Sequence, residues 1–220
     1  ISWTVRLLRW FHKPAARTMV PTESRRKTLL ERGFEDVVIW TRGVKTDLFT
    51  PGNPFDYKLP RPIWVCVGRV AVEKNIEAFL DLPLPGSKVI IGDGPDRERL
   101  AGRYEDCHFL GYRFGSELAE RLAGSDVFVF PSKTDTFGIV MLEAMACGLP
   151  VAAYPVTGPL DVVRRGVTGC LDEDLAAACS RALYLNRNDC RQYAESRSWR
   201  SSTLQFAANL APRQLIAVEA

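Results

Sequence analysis

The sequence predicts an α/β fold: a Rossmann-like parallel sheet with helices on both faces, joined to a remnant of a second, N-terminal domain. Three observations predict it. Short apolar runs alternate with helical patterns along most of the 220 residues, the signature of repeated βα units. Several runs stop at glycine or proline, as at Val67-Gly68 and Phe130-Pro131, where a strand gives way to a loop. An aperiodic stretch over 41–62, carrying Pro51, Pro54, Pro60 and Pro62, separates a short early series of elements from a longer one.

The first 43 residues read as helix, strand, helix, strand. RTMV (17–20) is a strand ended by Pro21; Thr22 caps the helix SRRKTLLER, which Gly33 stops; VVIW (37–40) is the next strand. After the linker, IWVCV (63–67) is a buried strand and 75–81 a helix. KVII (88–91) is a strand, followed by the turn GDGP and the charged helix DRERLAGR. HFLG (108–111) is a short strand, 116–124 a helix, and DVFVF (126–130) a strand stopped by Pro131. A helix from about Gly138 to Cys147 leaves by Gly148 and Pro150, and VAAY (151–154) is the next strand. The remainder reads as helix over 159–165, 173–185 and 189–210. The expected organisation is therefore 1–43 as the end of an N-terminal domain, 44–62 as linker, 63–188 as the ligand domain, and 189–220 as a helical segment that leaves it to pack elsewhere. A start at Ile1 within a helical pattern suggests a fragment.

Composition narrows the function. Hydrophobic residues at 46% and charged residues at 25% are ordinary for a globular domain. A net charge of +3 is too small to make nucleic acid the main partner, yet leaves room for a local anion site. The six cysteines form no C-x-x-C pair and there are only two histidines, so zinc-site spacing is missing. Cys66 and Cys147 sit in apolar runs, which suits free thiols in a reducing, cytoplasmic setting. No run approaches the roughly 18 apolar residues of a membrane span. The basic, aromatic start WTVRLLRWFHKPAAR packs within the N-terminal domain or, alternatively, touches a membrane surface.

Two constellations carry chemistry. In GRVAVEKN (68–75), Gly68 lets the chain turn directly after a strand, and Arg69 and Lys74 place two cations at the strand's carboxyl end, a pairing suited to a diphosphate. Two solvated loop charges are the plainer reading of that loop alone. In PSKTDTFGIVMLEAMACG (131–148), a polar loop precedes a helix whose first amides lack intrahelical partners and attract an anion. Glu143 lies four residues past Ile139, one turn deeper on the same face, where a carboxylate can accept from two ribose hydroxyls. Asp135, ahead of the helix, falls on the other side of the phosphate. The neighbours Met141, Leu142, Ala144, Met145 and Ala146 argue that this helix is buried rather than a solvated surface helix. GDGPDR (92–97) has Arg97 where a dinucleotide fingerprint needs its third glycine, so an oxidoreductase reading is poor. His108, at a strand start, reads as a packed histidine.

GRVAVEKN, IGDGPDRERL, HFLGYR, FPSKTDTFGIVMLEAMACGLPVAA and SWRSSTLQFAANL, in that order, resemble the family-4 (group 1) glycosyltransferases, as does RGVKTDLF (42–49) at the interdomain crossing. The resemblance runs from about Pro21 to the end of the chain. It implies the GT-B fold, two Rossmann-like domains facing a cleft, of which the C-terminal one binds the nucleotide sugar. By that resemblance Arg69 and Lys74 hold the donor diphosphate and Gly68 admits it. Asp135 contacts the donor sugar, Glu143 the ribose, and the backbone of Phe137, Gly138 and Ile139 lines sugar and diphosphate. Tyr112 and Arg113 lie near the base. The sequence departs from the family at Asp135, where a glutamate is usual, and at Lys45, where an acid is usual. The resemblance further implies hexosyl transfer from a UDP- or GDP-hexose to an acceptor sugar or lipid, with retention, without metal or other cofactor, and without nucleic acid. No catalytic residue is assigned, because the acceptor side would lie upstream of Ile1. A nucleotide-sugar-binding module without turnover stays open as the alternative.

Overall fold

The computed structural model describes residues 3–210. The described residues form two compact units, one of Gly43–Trp199 and one that combines those up to Arg42 with those from Arg200 onward. In the smaller unit, α1 (Trp3–His12) precedes β1 (Thr18–Val20), α2 (Glu23–Glu31) and β2 (Val37–Ile39), and the two strands pair in parallel. Thr22 caps α2, its side-chain oxygen accepting the Arg25 N–H at 3.3 Å.

The larger unit holds β3 (Ile63–Val67), α3 (Ile76–Leu80), β4 (Ser87–Ile91), α4 (Arg97–Arg103), β5 (His108–Phe109), α5 (Gly115–Ala123), β6 (Val127–Phe130), α6 (Ile139–Ala146), β7 (Val151–Ala153), α7 (Pro159–Val162), β8 (Gly169–Leu171), α8 (Leu175–Ala182) and α9 (Arg187–Glu195). Its six strands are parallel throughout, in the order β5-β4-β3-β6-β7-β8. The chain leaves β3 toward one edge and returns at β6 on its other side. That is the doubly wound pattern whose reversal point opens a ligand crevice.

Period-two side chains feed two cores, one per face. Ile63, Val65, Phe128, Phe130, Val151 and Ala153 point to the face covered by α5, α6 and α9. Trp64, Cys66, Val127, Val129 and Ala152 point to the face covered by α3, α4 and α8. Burying each large apolar side chain is worth about 1.5–3 kcal/mol. α6 is nearly all interior: Met141, Leu142, Ala144, Met145 and Ala146 have no exposed surface.

Three stretches differ from the sequence expectation. β8 (Gly169–Leu171) was not expected: with glycine as its first residue and Asp172 after it, only Cys170 and Leu171 form an apolar run. The final helical segment is two helices, α9 and α10 (Trp199–Asn209), and α9 stays with the larger unit although the boundary was expected at 189. Its Arg191 explains why, donating to the carbonyls of Ala146 at 2.8 Å, Phe49 at 2.6 Å and Thr46 at 2.9 Å. The same bonds seat the start of the expected linker on the larger unit, with Val44 and Phe49 buried. α10 packs along β2: Gln205 Oε1 accepts the Thr41 N–H at 2.8 Å, Asn209 donates to the Ile39 carbonyl at 3.0 Å, and Phe206 meets Trp40 at 4.8 Å between rings. Trp199 and Leu204 keep 41% and 63% of their surface exposed, so only part of its apolar face is covered.

Candidate functional site at the carboxyl edge of the sheet

The crevice between β3 and β6 is walled by the two loops singled out from the sequence, and they are stitched together. Lys74 Nζ meets Asp135 Oδ2 at 2.8 Å. Asn75, left-handed at φ 52°, donates its side-chain amide to the Pro131 carbonyl at 3.0 Å. The Ser132 hydroxyl reaches the Glu73 carbonyl at 3.4 Å. Neither Asn75 nor Ser132 was expected at the site; both act through main-chain carbonyls, which leave no mark on side-chain patterning.

The Lys74–Asp135 pair is partly shielded, with 29% and 17% of the side chains exposed. Burial raises the Asp135 pKa, but the hydrogen bond and charge of Lys74, with the amides of Phe137 and Thr136, outweigh it and hold the carboxyl below its ordinary range. Arg69 stands at the mouth, two-thirds exposed and 3.8 Å from Glu73. Gly68 presents bare backbone: a side chain there would meet nothing within 4 Å.

α6 begins where expected. Gly138 is its N-cap at φ 73°, a conformation glycine adopts without strain, and no side chain caps the first turn. A methyl group at Gly138 would sit 2.6 Å from Met141 Cε, the end of a flexible side chain that can swing aside, so the positive φ is what selects glycine. The Phe137 side chain is buried in the core, which leaves only its backbone for a ligand. Ile139 is exposed at the helix start. Glu143, one turn on, is half-buried and has no hydrogen-bond or ion-pair partner among the described residues. Burial alone pushes its pKa up. Gly158, ahead of α7, packs on the Asp135 backbone, with 3.3 Å between a built methyl and the Asp135 carbonyl. That contact leaves no mark in the sequence.

Along the same edge lie the ends of β4 and β5. A methyl group at Gly92, where φ is 145°, would fall 1.9 Å from the Gly68 carbonyl. The GDGP glycines therefore serve close loop packing rather than a dinucleotide. Tyr112 is 67% exposed, beside Phe114 at 5.9 Å between rings, and Arg113 donates to the Tyr112 carbonyl at 2.8 Å. His108 is half-buried in β5. A separate cavity of about 370 Å³ in the smaller unit, lined by Arg6, Arg9, Lys13 and Asp36 among others, holds none of these residues.

Known proteins share this fold and much of the sequence. The family described as "Glycosyl transferases group 1" matches residues 61–185. The GDP-mannose-dependent alpha-mannosyltransferase of Mycobacterium tuberculosis is 38% identical over 173 residues, covering 74% of this chain and 46% of the relative. The sulfoquinovosyl transferase SQD2 of Arabidopsis thaliana is 31% identical over 244 residues, covering 93% and 47%. The chain thus spans about half the length of these relatives. Among solved structures, Anabaena Alr3699/HepE in complex with UDP superposes with a TM-score of 0.76 at 19% identity, over 94% of this chain and 67% of that one. The doubly wound sheet is the GT-B type, and the oxidoreductase reading falls away. The family match extends over more than half of the chain and includes every residue of the crevice, and with it the chain belongs to the glycosyl transferases group 1.

Proposed function

We propose that this chain carries the donor half of a retaining, metal-independent glycosyltransferase whose donor is GDP-mannose. The observation that carries the reading is the crevice itself: Lys74 and Asp135 paired across the reversal point, an uncapped helix start beside them, and Glu143 unpartnered one turn below. A half-buried carboxylate with no partner is costly unless a ligand supplies donors, and ribose hydroxyls do so. Arg69, Lys74 and the amides of Gly138 and Ile139 meet the diphosphate. Asp135, fixed by Lys74, faces the hexose hydroxyls. GDP is favoured over UDP because the relative named for GDP-mannose is 38% identical, whereas the solved neighbour that holds UDP is 19% identical.

In the transfer, the acceptor hydroxyl oxygen bonds to the anomeric carbon on the face the diphosphate leaves, and the hydroxyl proton is released. The electron pair of the broken C–O bond goes to the diphosphate, where the growing charge meets fixed cations and amides. These groups take the place of a divalent metal. Most of the remaining barrier reduction comes from holding the acceptor in place, so multiple turnover needs the acceptor-binding half.

The setting we propose is the cytoplasmic membrane surface, with an acceptor sugar or lipid. No helix among the described residues is long and apolar enough to cross a membrane. Support for peripheral contact comes from α1, where Trp3, Trp10 and Phe11 are exposed alongside Arg6 and Arg9. Support for a reducing compartment comes from six free cysteines, five of them buried.

The test is a thermal-shift series against GDP-mannose, UDP-glucose, UDP-galactose and their diphosphates. Stabilisation greatest with GDP-mannose is expected; stabilisation by none of them would refute a donor site. Transfer assays on this chain and on one extended by an upstream domain then separate turnover from binding. Equal multiple-turnover rates would overturn the assignment of this chain to the donor half.

A further inference from the structure

At the far end of the crevice the chain presents a second pair of cations that the diphosphate reading does not use. Gly68, Gly92 and Gly111 follow β3, β4 and β5 and lie side by side: the Gly68 N–H donates to the Ile91 carbonyl at 3.0 Å and the Gly92 N–H to the Gly111 carbonyl at 2.9 Å. Over Gly111 two guanidinium groups converge. A methyl group there would lie 3.8 Å from Arg97 Nη2 and 3.9 Å from Arg113 Nη1.

The two arginines differ in how they are held. Arg113 is tied down by the Tyr112 carbonyl at 2.8 Å and by Glu117 at 3.4 Å. Arg97 makes no side-chain hydrogen bond or ion pair among the described residues; the Nε of each arginine is buried without a hydrogen bond, but Arg113 has its other contacts and Arg97 has none. Its neighbours on α4 are used differently, Arg99 and Arg103 both bonding Glu77. A partly buried guanidinium left unmatched is expensive, so the arrangement favours a ligand rich in acceptors.

We propose that Arg97, supported by Arg113, reads the guanine base of the bound nucleotide; this rests on the proposed donor site. Position is the first argument. β5 lies two strand spacings from β3, about 10 Å, roughly the reach from a diphosphate held after β3 to the far edge of its base. Chemistry is the second. A guanidinium only donates, and guanine sets two acceptors, O6 and N7, side by side. Adenine puts an amino donor beside N7, and uracil places an N–H between its carbonyls, so neither offers a matching edge. The exposed rings of Tyr112 and Phe114 supply a surface on which a base can stack.

Calorimetry with GDP, UDP and 7-deaza-GDP, on the parent chain, Arg97→Ala and Arg97→Lys, tests the assignment. The parent should bind GDP more tightly than UDP and than 7-deaza-GDP, which lacks the N7 acceptor. Arg97→Ala should lose about 5- to 150-fold in GDP affinity, the discrimination of one guanidinium–guanine pair. UDP affinity should be unchanged and the 7-deaza difference should vanish. Lysine keeps the charge without the fork and should fall between. A parent that prefers UDP, or binds GDP and 7-deaza-GDP equally, overturns the inference without needing any variant. So does an Arg97→Ala chain that loses GDP and UDP alike. A parent that binds no nucleoside diphosphate overturns the donor site itself, and the inference with it.

Discussion

Replacing Glu143 by glutamine should push stability and binding in opposite directions. In the free protein the Glu143 carboxylate is half-buried and unpartnered, and burial raises its pKa. A group of this kind costs nothing extra while protonated in both states. The cost appears as pH rises through the ordinary carboxylate range and is complete above the raised folded value. An unmatched polar group costs about 1–3 kcal/mol. Glutamine keeps the shape and part of the polar cost but loses the charge, so the net gain is about 1 kcal/mol near neutral pH. In a chain of this size that raises Tm by about 2–4 °C. The gain should shrink on acidification and vanish below the ordinary glutamate value of about 4.3, where the carboxyl is protonated in both states. Binding should move the other way: hydrogen bonds from ribose hydroxyls to a charged acceptor are worth about 1.5–3 kcal/mol. Glu143→Gln should then weaken GDP binding about 10- to 150-fold, and weaken 2′-deoxy-GDP binding less. Differential scanning calorimetry over pH, with titration calorimetry of both nucleotides, measures each arm. A lower Tm at neutral pH would mean Glu143 has a structural partner in the free protein. Equal losses for the ribo- and deoxyribonucleotide would mean the carboxylate does not read the 2′-hydroxyl.

Lys74→Ala should weaken nucleoside-diphosphate binding by about 10- to 150-fold and leave Asp135, 17% exposed, without its cation. Asp135's depressed pKa stabilises the fold above the ordinary aspartate range and is lost as pH falls through the folded value, so the parent's Tm advantage over this variant should fade on acidification; a constant advantage argues against the pair. Gly92→Ala places a methyl 1.9 Å from the Gly68 carbonyl at a φ of 145°, and a Tm loss of roughly 5 °C or more is expected in a thermal melt. The thiols of Cys66, Cys147, Cys179 and Cys190 are pushed up to about 12 by burial, so a disulfide reagent should label them only after denaturant is added. Rapid labelling of the native chain at any of the four, located by mass spectrometry, would contradict their burial.

The sequence by itself determined the elements that rest on local rules. Short continuous apolar runs marked five of the six strands in the larger sheet, because each strand has both faces buried. The bounds of α6 were legible because Gly138 and Gly148 are punctuation that acts on their own φ angles. The two loops bearing Arg69, Lys74 and Asp135 were placed at strand ends for the same reason, with Glu143 on the helix that follows the second. Order and pairing across distance belonged to the tertiary structure. Nothing in the run IWVCV says that its neighbours are β4 and β6, since any parallel strand satisfies its hydrogen bonds. Lys74 and Asp135 are 61 residues apart and meet only because the sheet reverses between them. Arg97 was legible only as a missing glycine; its convergence with Arg113 over Gly111 required β4 and β5 to lie side by side. The break between α9 and α10 was equally invisible, because Ser196–Ser198 carries no proline or glycine. The chain turns there because Val44 pairs with Ser198, accepting the Trp199 N–H and donating to the Arg197 carbonyl. Local patterning fixes what a segment can become; which segments meet depends on closing loops of tens of residues, and that is settled only when the whole core packs.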